Sequence, residues 1–182
     1  MTTTLTIRKA EPADLETVED LRAEATAWLA SKGLDQWQPG TPRVPTRAGT
    51  IDAIDRGACY LAYNDGGELV GTITVDDRAD PEFWTPEERA EPALYVHRMI
   101  VARRAAGADV GRCLLRWAEQ RAASNGGRWL RLDAWKTNTA LQRYYARQGF
   151  EHPPTVELGH RGSGALFPRP ASRAPTEPGT PS

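Results

Sequence analysis

Apolar and polar positions alternate through TLTIRKA, residues 4–10, with the period of two that predicts a half-buried strand. The period then changes. Leu15, Val18, Leu21, Ala25 and Trp28 recur three and four residues apart, which predicts an amphipathic helix with Asp14 as N-cap and Gly33 as its stop. LDQWQPGTPRVPTRAGT predicts a long Pro- and Gly-rich loop, and IDAIDRG a short helix at best. ACYLAYN and ELVGTITVDD read as strands joined by the hairpin signal DGG, followed by a loop over RADPEFWTPEERAEPA. LYVHRMIVA is almost continuously apolar and predicts a central strand. Beyond it come a helix over Val110–Ser124, a strand RWLRLDAW, and a helix TNTALQRYYARQ closed by Gly149. FEHPPTVELG and SGALFPRP supply the last strands. Residues 168–182 hold five prolines and predict a disordered tail outside a domain of residues 1–167. The order β-α-α-β-β-β-α-β-α-β-β predicts one α/β (α+β) domain.

Composition fits that reading. With 182 residues, 40% hydrophobic and 26% charged, the chain is an ordinary globular domain. No apolar run approaches the roughly 18 residues that span a membrane, and the N-terminus lacks a signal-peptide core, so a cytoplasmic protein without membrane partners is expected. Cys59 and Cys113 read as reduced packing residues. His97, His152 and His160 show no ligand spacing with Cys or carboxylates, so no metal is expected.

Charge changes the picture. The net charge is −1, yet Arg98 to Arg147 holds 11 Lys/Arg against three acids. Such asymmetry points either to a polyanionic ligand near this half or to a solvated arginine-rich face. Within it lies ARRAAGADVGRCLL, residues 102–115, where a strand leads through Gly107 and Gly111 into a helix. Turns of this kind offer backbone N–H groups to phosphate, yet Asp109 stands in the middle.

Three stretches, IRKAEPAD, MIVARRAAGADVGRCLL and LDAWKTNTALQRYYARQGF, resemble the GNAT-type N-acyltransferases. The resemblance covers about residues 4–167 and implies a GNAT fold, a mixed central β-sheet with helices on both faces. It implies transfer of an acyl group from acetyl-CoA or another acyl-CoA to a small-molecule amine, by a monomer or homodimer. The family's loop reads Val-x-x-x-x-Arg/Gln-Gly-x-Gly-x-Gly/Ala, which places Val101, Ala106, Gly107, Asp109 and Gly111 at the motif positions. Ala106 replaces the usual Arg or Gln, and Asp109 the central Gly.

By the same resemblance, Ala106, Gly107, Ala108, Asp109, Val110, Gly111 and Arg112 bind the pyrophosphate, the Met99 N–H meets the donor carbonyl, and the Val101 backbone pairs with the pantetheine. Tyr145 matches the tyrosine that donates to the leaving thiolate, and Asn138 would fix the donor arm. The base is open. His97, taken to share a strand face with Met99, has a pKa suited to neutral pH, and Asp133, Asp76 and Tyr95 are alternatives. Trp37 and Trp84 are candidate acceptor-pocket walls, or anchors of their own loops. A carboxylate about 5 Å from a phosphate repels it by roughly 0.8 kcal/mol in water and roughly 3 kcal/mol at an effective dielectric of 20. Asp109 therefore reads in two ways. Either it caps the helix at Val110, its charge offset by Arg103, Arg104 or Arg112, or the chain has relaxed its use of coenzyme A. The second reading admits an aminoacyl-tRNA donor or a non-catalytic ligand-binding relative.

Overall fold

The computed structural model describes residues 4–172. A six-stranded sheet runs in sequence order, β1 (Thr6–Lys9), β2 (Cys59–Tyr63), β3 (Leu69–Asp76), β4 (Ala93–Val101), β5 (Trp129–Trp135) and β6 (Ser163–Pro170). Every neighbouring pair is antiparallel except β4 and β5, whose crossover is α4 (Val110–Ser124). That helix buries Val110, Leu114, Leu115 and Ala118 against one face of the sheet, where α5 (Thr139–Arg147) also packs through Tyr145. The opposite face is covered by α1 (Leu15–Ser31) and α2 (Arg47–Asp55), whose Val18, Ala53 and Ile54 meet Cys59 and Leu61. The mixed sheet with helices on both faces is thus as expected. No helix among the described residues is long and apolar enough to cross a membrane, and both cysteines are free thiols.

Several local expectations are corrected. Asp14 precedes α1 without capping it; its carboxylate accepts from the Glu11 N–H at 2.8 Å and from Arg8 at 2.7 Å, closing the short turn before the helix. Thr46 caps α2 by accepting from the Gly49 N–H, so that helix starts four residues before Ile51. The loop after β3 contains a helix, α3 (Pro86–Ala90), held by a reciprocal Thr85–Glu88 capping box with Pro at its first turn. FEHPPTVELG forms no strand: Pro153 and Pro154 have no N–H for a ladder, and the segment keeps only isolated bonds such as Val156 N–H to Gly164 C=O.

The C-terminal boundary also moves. β6 continues to Pro170, three residues past the expected end of the domain. Arg169 lies over the Phe150 ring at 4.4 Å and pairs with Glu119 at 2.9 Å, while the Ser172 hydroxyl bonds the same carboxylate at 2.7 Å. The predicted disorder of residues 173–182 lies outside the described residues. Deleting residues 169–182 is expected to strip Glu119 of both partners and cost about 2 kcal/mol, by the usual 1.5–3 kcal/mol for a charged hydrogen bond. At roughly 2–4 °C per kcal/mol the melting temperature falls by several degrees. Deleting residues 173–182 is the control.

Candidate active site

The sheet opens at one place. β4 and β5 pair from Ala93–Trp129 to Val96–Leu132 and then part, although β4 stays bonded to β3 as far as Val101 and β5 to β6 as far as Trp135. Each strand is held by its outer neighbour while the inner ladder ends. A cavity of about 1000 Å³ runs through this gap, from the loop before α4 on one face to α2 and the α1–α2 loop on the other.

A bulge sits at the same level. Thr74 pairs with His97 and Thr72 with Ile100, so Arg98 and Met99 together oppose Ile73, and Arg98 has φ +44°. The extra residue shifts the side-chain alternation. Met99 packs with the α4 side of the core, whereas His97 bonds Asp76 and Arg98 bonds the α2 backbone at Gly49. The expectation that His97 and Met99 share a face is therefore overturned, because alternation holds only in an unbroken ladder.

On the α4 side, Val101, Ala106, Gly107, Asp109, Val110 and Gly111 line the cavity, as does Met99; Ala108 and Arg112 do not. Gly107 and Asp109 are left-handed, with φ +84° and +57°. Asp109 occupies the N-cap position but makes no side-chain cap bond, since a capping side chain normally comes from an extended residue. Its carboxylate accepts from Arg112 Nη2 at 2.6 Å instead, with both side chains more than half exposed. Of the three arginines considered for this role, Arg112 fills it. Arg103 lies over the Trp28 ring, and Arg104 bonds the Leu69 carbonyl. The Tyr144 hydroxyl packs on Gly111, 2.5 Å from where a Cβ would stand.

Tyr145, next along α5, is buried against Phe167, Tyr144 and Phe150, with ring centroids 5.5–5.9 Å away, and also lines the cavity. Burial pushes its phenol well above the usual value near 10. Asn138 lines the cavity too, but its amide is engaged within the protein. Its oxygen caps α5 at the Leu141 N–H, and its nitrogen donates to Gln36 Oε1 at 2.6 Å. That makes it a brace for the α1–α2 loop. Asp35 in the same loop accepts from Trp135 Nε1 at 3.0 Å and from the Thr137 hydroxyl at 2.5 Å.

On the α2 side, His97 Nε2 lies 3.1 Å from Asp76 Oδ1, and Arg56 Nη1 lies 2.9 Å from the other oxygen. Burial raises the Asp76 carboxyl, but the bonds and charges of His97 and Arg56 outweigh it and hold the pKa at about 2. An ionised carboxylate only accepts, so Nε2 carries the proton towards Asp76, and the tautomer that leaves the lone pair on Nδ1 is the one favoured. Asp133 lines the cavity one residue past the last β4–β5 pair, as His97 does, and burial raises its carboxyl. Trp37 lines the cavity with φ +62°. Trp84 does not; it is buried edge-on against Tyr95 at 5.8 Å and under the Arg131 guanidinium at 5.2 Å, because its loop turns inward beneath α3. Tyr95 lies in that cluster too, its hydroxyl accepting from Arg131 at 3.1 Å. The arginines of the basic segment accordingly share no single surface: Arg131 is interior, Arg98 faces α2, and Arg112 stands at the start of α4.

The sequence that builds this cavity matches a known family. The acetyltransferase (GNAT) family pattern covers residues 18–150. The chain belongs to that family. Among relatives, YesJ of Bacillus subtilis, described as an uncharacterized N-acetyltransferase, is 27% identical over 140 residues, 76% of this chain and 77% of its own. A GNAT acetyltransferase structure from Listeria monocytogenes superposes with a TM-score of 0.76 at 22% identity, over 91% of this chain and 94% of that one. The structure of yncA from Salmonella typhimurium, solved with its cofactor acetyl-CoA, gives 0.62 at 16% identity over 97% and 99%. This GNAT protein is therefore an acyltransferase.

In this acyltransferase the depressed Asp76 carboxyl is also a stability device. It favours the folded state fully above its unfolded value near 4, and that contribution is lost as pH falls towards 2. Asp76→Asn is expected to cost about 2 kcal/mol at neutral pH, from a shift of nearly two units at 1.36 kcal/mol each. Urea midpoints of wild type and variant should converge between pH 4 and pH 2.

Proposed function

We propose that this chain moves an acyl group, acetyl in the simplest case, directly from acyl-coenzyme A to the amine of a small molecule. The observation that carries the reading is the single cavity that joins the loop before α4 to His97 through the parting of β4 and β5.

The residues present fit the donor. Gly107 supplies a left-handed turn, Gly111 lets the Tyr144 hydroxyl pack against the helix backbone, and Asp109 makes no cap bond at the N-terminus of α4, so that helix end and its amides suit a pyrophosphate. Pairing with Arg112 moderates the repulsion from Asp109. Acyl-coenzyme A supplies an activated thioester with a thiolate leaving group. The β4 backbone around Met99, beyond its last bond to β5, is placed to donate to the thioester oxygen. His97, fixed in the Nε2–H form by Asp76, takes the proton of the attacking amine at Nδ1. Tyr145 donates a hydrogen bond to the departing sulfur. Its raised pKa keeps the hydroxyl protonated at any working pH.

Tyr145→Phe keeps the ring and removes the donor, so kcat should fall about a hundredfold or more with little change in coenzyme A affinity. Unchanged kcat would remove Tyr145 from the mechanism. Asp109→Gly loses no cap bond and relieves a left-handed non-glycine residue. It should tighten coenzyme A binding measured by calorimetry, by roughly fourfold or more given the repulsion of roughly 0.8 kcal/mol expected even in water. Titration of the wild type with coenzyme A tests the donor itself. Transfer that needs charged tRNA and disappears with ribonuclease would replace coenzyme A by an aminoacyl-tRNA. Binding of coenzyme A without transfer to any amine would make the chain a ligand-binding relative.

A further inference from the structure

The α2 side of the cavity carries five arginines and three aspartates, and most of them cancel. Arg56 pairs with Asp76 at 2.9 Å and Arg161 with Asp80 at 2.5 Å. The exposed Arg43 and Arg78 have longer pairs, to Glu82 at 3.5 Å and Asp52 at 3.8 Å. Two groups have no ion-pair partner among the described residues. Asp133, at the parting of the strands, interacts with the Ser163 hydroxyl and feels His97 and Arg161 through space, and Arg98 has no carboxylate within ion-pairing distance. Among the described residues, this guanidinium with its five donors has one hydrogen-bond partner, the Gly49 carbonyl at 3.2 Å. Asp76 and Asp52 act on it only through space, and Arg56 repels it.

Its placement is specific. Arg98 is the left-handed residue of the β4 bulge, a conformation that is unfavourable for an L-residue with a Cβ and clusters at functional sites. The bulge sets it on the face of His97, at the level where the two strands separate. Gly49 is the complement. A Cβ there would stand 3.1 Å from Arg98 Nη1, so a side chain at 49 would crowd the guanidinium where α2 borders the cavity.

We propose that the acceptor is a zwitterionic amino acid whose carboxylate pairs with Arg98 while Asp133 receives its ammonium group beside His97. The two groups of the wall without an ion-pair partner then meet the two charges of the ligand, the ammonium favouring the ionised form of the buried Asp133 carboxyl, and a bidentate guanidinium–carboxylate pair fixes the amine towards the gap. The ammonium gives up one proton to water before attack; as the C–N bond of the amide forms and the thioester C–S bond breaks, His97 takes the second, and the sulfur leaves as the thiolate of coenzyme A, which is protonated to the free thiol. The carboxylate takes no part in bond making. This assignment rests on the acyl-coenzyme A reading and names its acceptor class.

The test uses the wild-type chain with acetyl-CoA and matched acceptors, α- and ω-amino acids beside their carboxamides and decarboxylated amines, with free thiol as the readout. Coenzyme A affinity is measured separately by calorimetry. At least one amino acid should exceed its own amide and amine by a hundredfold or more in kcat/KM. Arg98→Met should bring that ratio close to one, and Arg98→Lys should restore part of it. Circular dichroism and the coenzyme A affinity of each variant report whether the bulge survives. Amides or bare amines used as well as the acids, thiol release with none of the panel, or a ratio that a folded Arg98→Met leaves unchanged would overturn the assignment while intact coenzyme A binding leaves the donor reading in place. Absence of coenzyme A binding by the wild type would overturn both.

Discussion

Everything at the candidate site depends on one broken ladder. Parallel strands at the centre of a sheet ordinarily stay bonded along their length, because a buried amide without a partner is costly. Here β4 and β5 stop pairing after Val96 and Leu132, and the antiparallel partners β3 and β6 keep each strand extended as it turns away. The gap brings side chains of both sheet faces into one cavity, so a group bound over α4 and a group bound under α2 can meet at the level of the strands. The bulge belongs to the same event. By inserting one residue opposite Ile73 it sets His97 and Arg98 together on the α2 face and Met99 on the α4 face, whereas an unbroken strand would put His97 and Met99 on one face.

Electrostatics then separates the two halves. Tyr145 sits among aromatic rings where burial keeps its hydroxyl neutral, while His97 stands before an ionised carboxylate that fixes its tautomer. The proposed donor and acceptor of protons thus stand on different sides of the gap and are tuned by different means, the one by desolvation and the other by a charged partner. The outer wall is held by Arg161, whose buried guanidinium joins Asp80 and Glu82 of the loop after β3 to the loop before β6. Two connections that read as unrelated in sequence form one wall.

Much of this was legible in the chain. Period and turn chemistry gave the order of strands and helices, and the spacing from Val101 to Gly111 and from Asn138 to Gly149 carried the family resemblance. The left-handed Asp109 suits a residue type that tolerates that conformation. The short helix at Pro86–Ala90 was legible but missed: Thr85, Pro86 and Glu88 spell a capping box with a first-turn proline. Other features had no local signal. A bulge in an apolar strand leaves the hydrophobic pattern of LYVHRMIVA unchanged, so neither the separation of His97 from Met99 nor the direction of Arg98 could be read. Trp37 and Trp84 look alike in sequence, each in a long polar loop. Only the path of the loop decides that one lines the cavity and the other joins Tyr95 and Arg131 in the interior. Asn138 carries no local sign that its amide is engaged by a residue 102 positions away.

That long reach has a consequence for how the protein is made. The α1–α2 loop is fastened by Asp35 and Gln36 to Trp135, Thr137 and Asn138, groups separated by 100 to 102 residues. Contacts of such sequence separation close a long loop, and the entropy of closure is met only once the intervening sheet has formed. As the chain leaves the ribosome, the early helices wait until residue 138 has emerged before their connecting loop finds its seat. This wall of the cavity is therefore among the last parts to assemble. A ligand that needs that wall recognises only the finished molecule, and by mass action its presence favours completion of the fold over every partly assembled form.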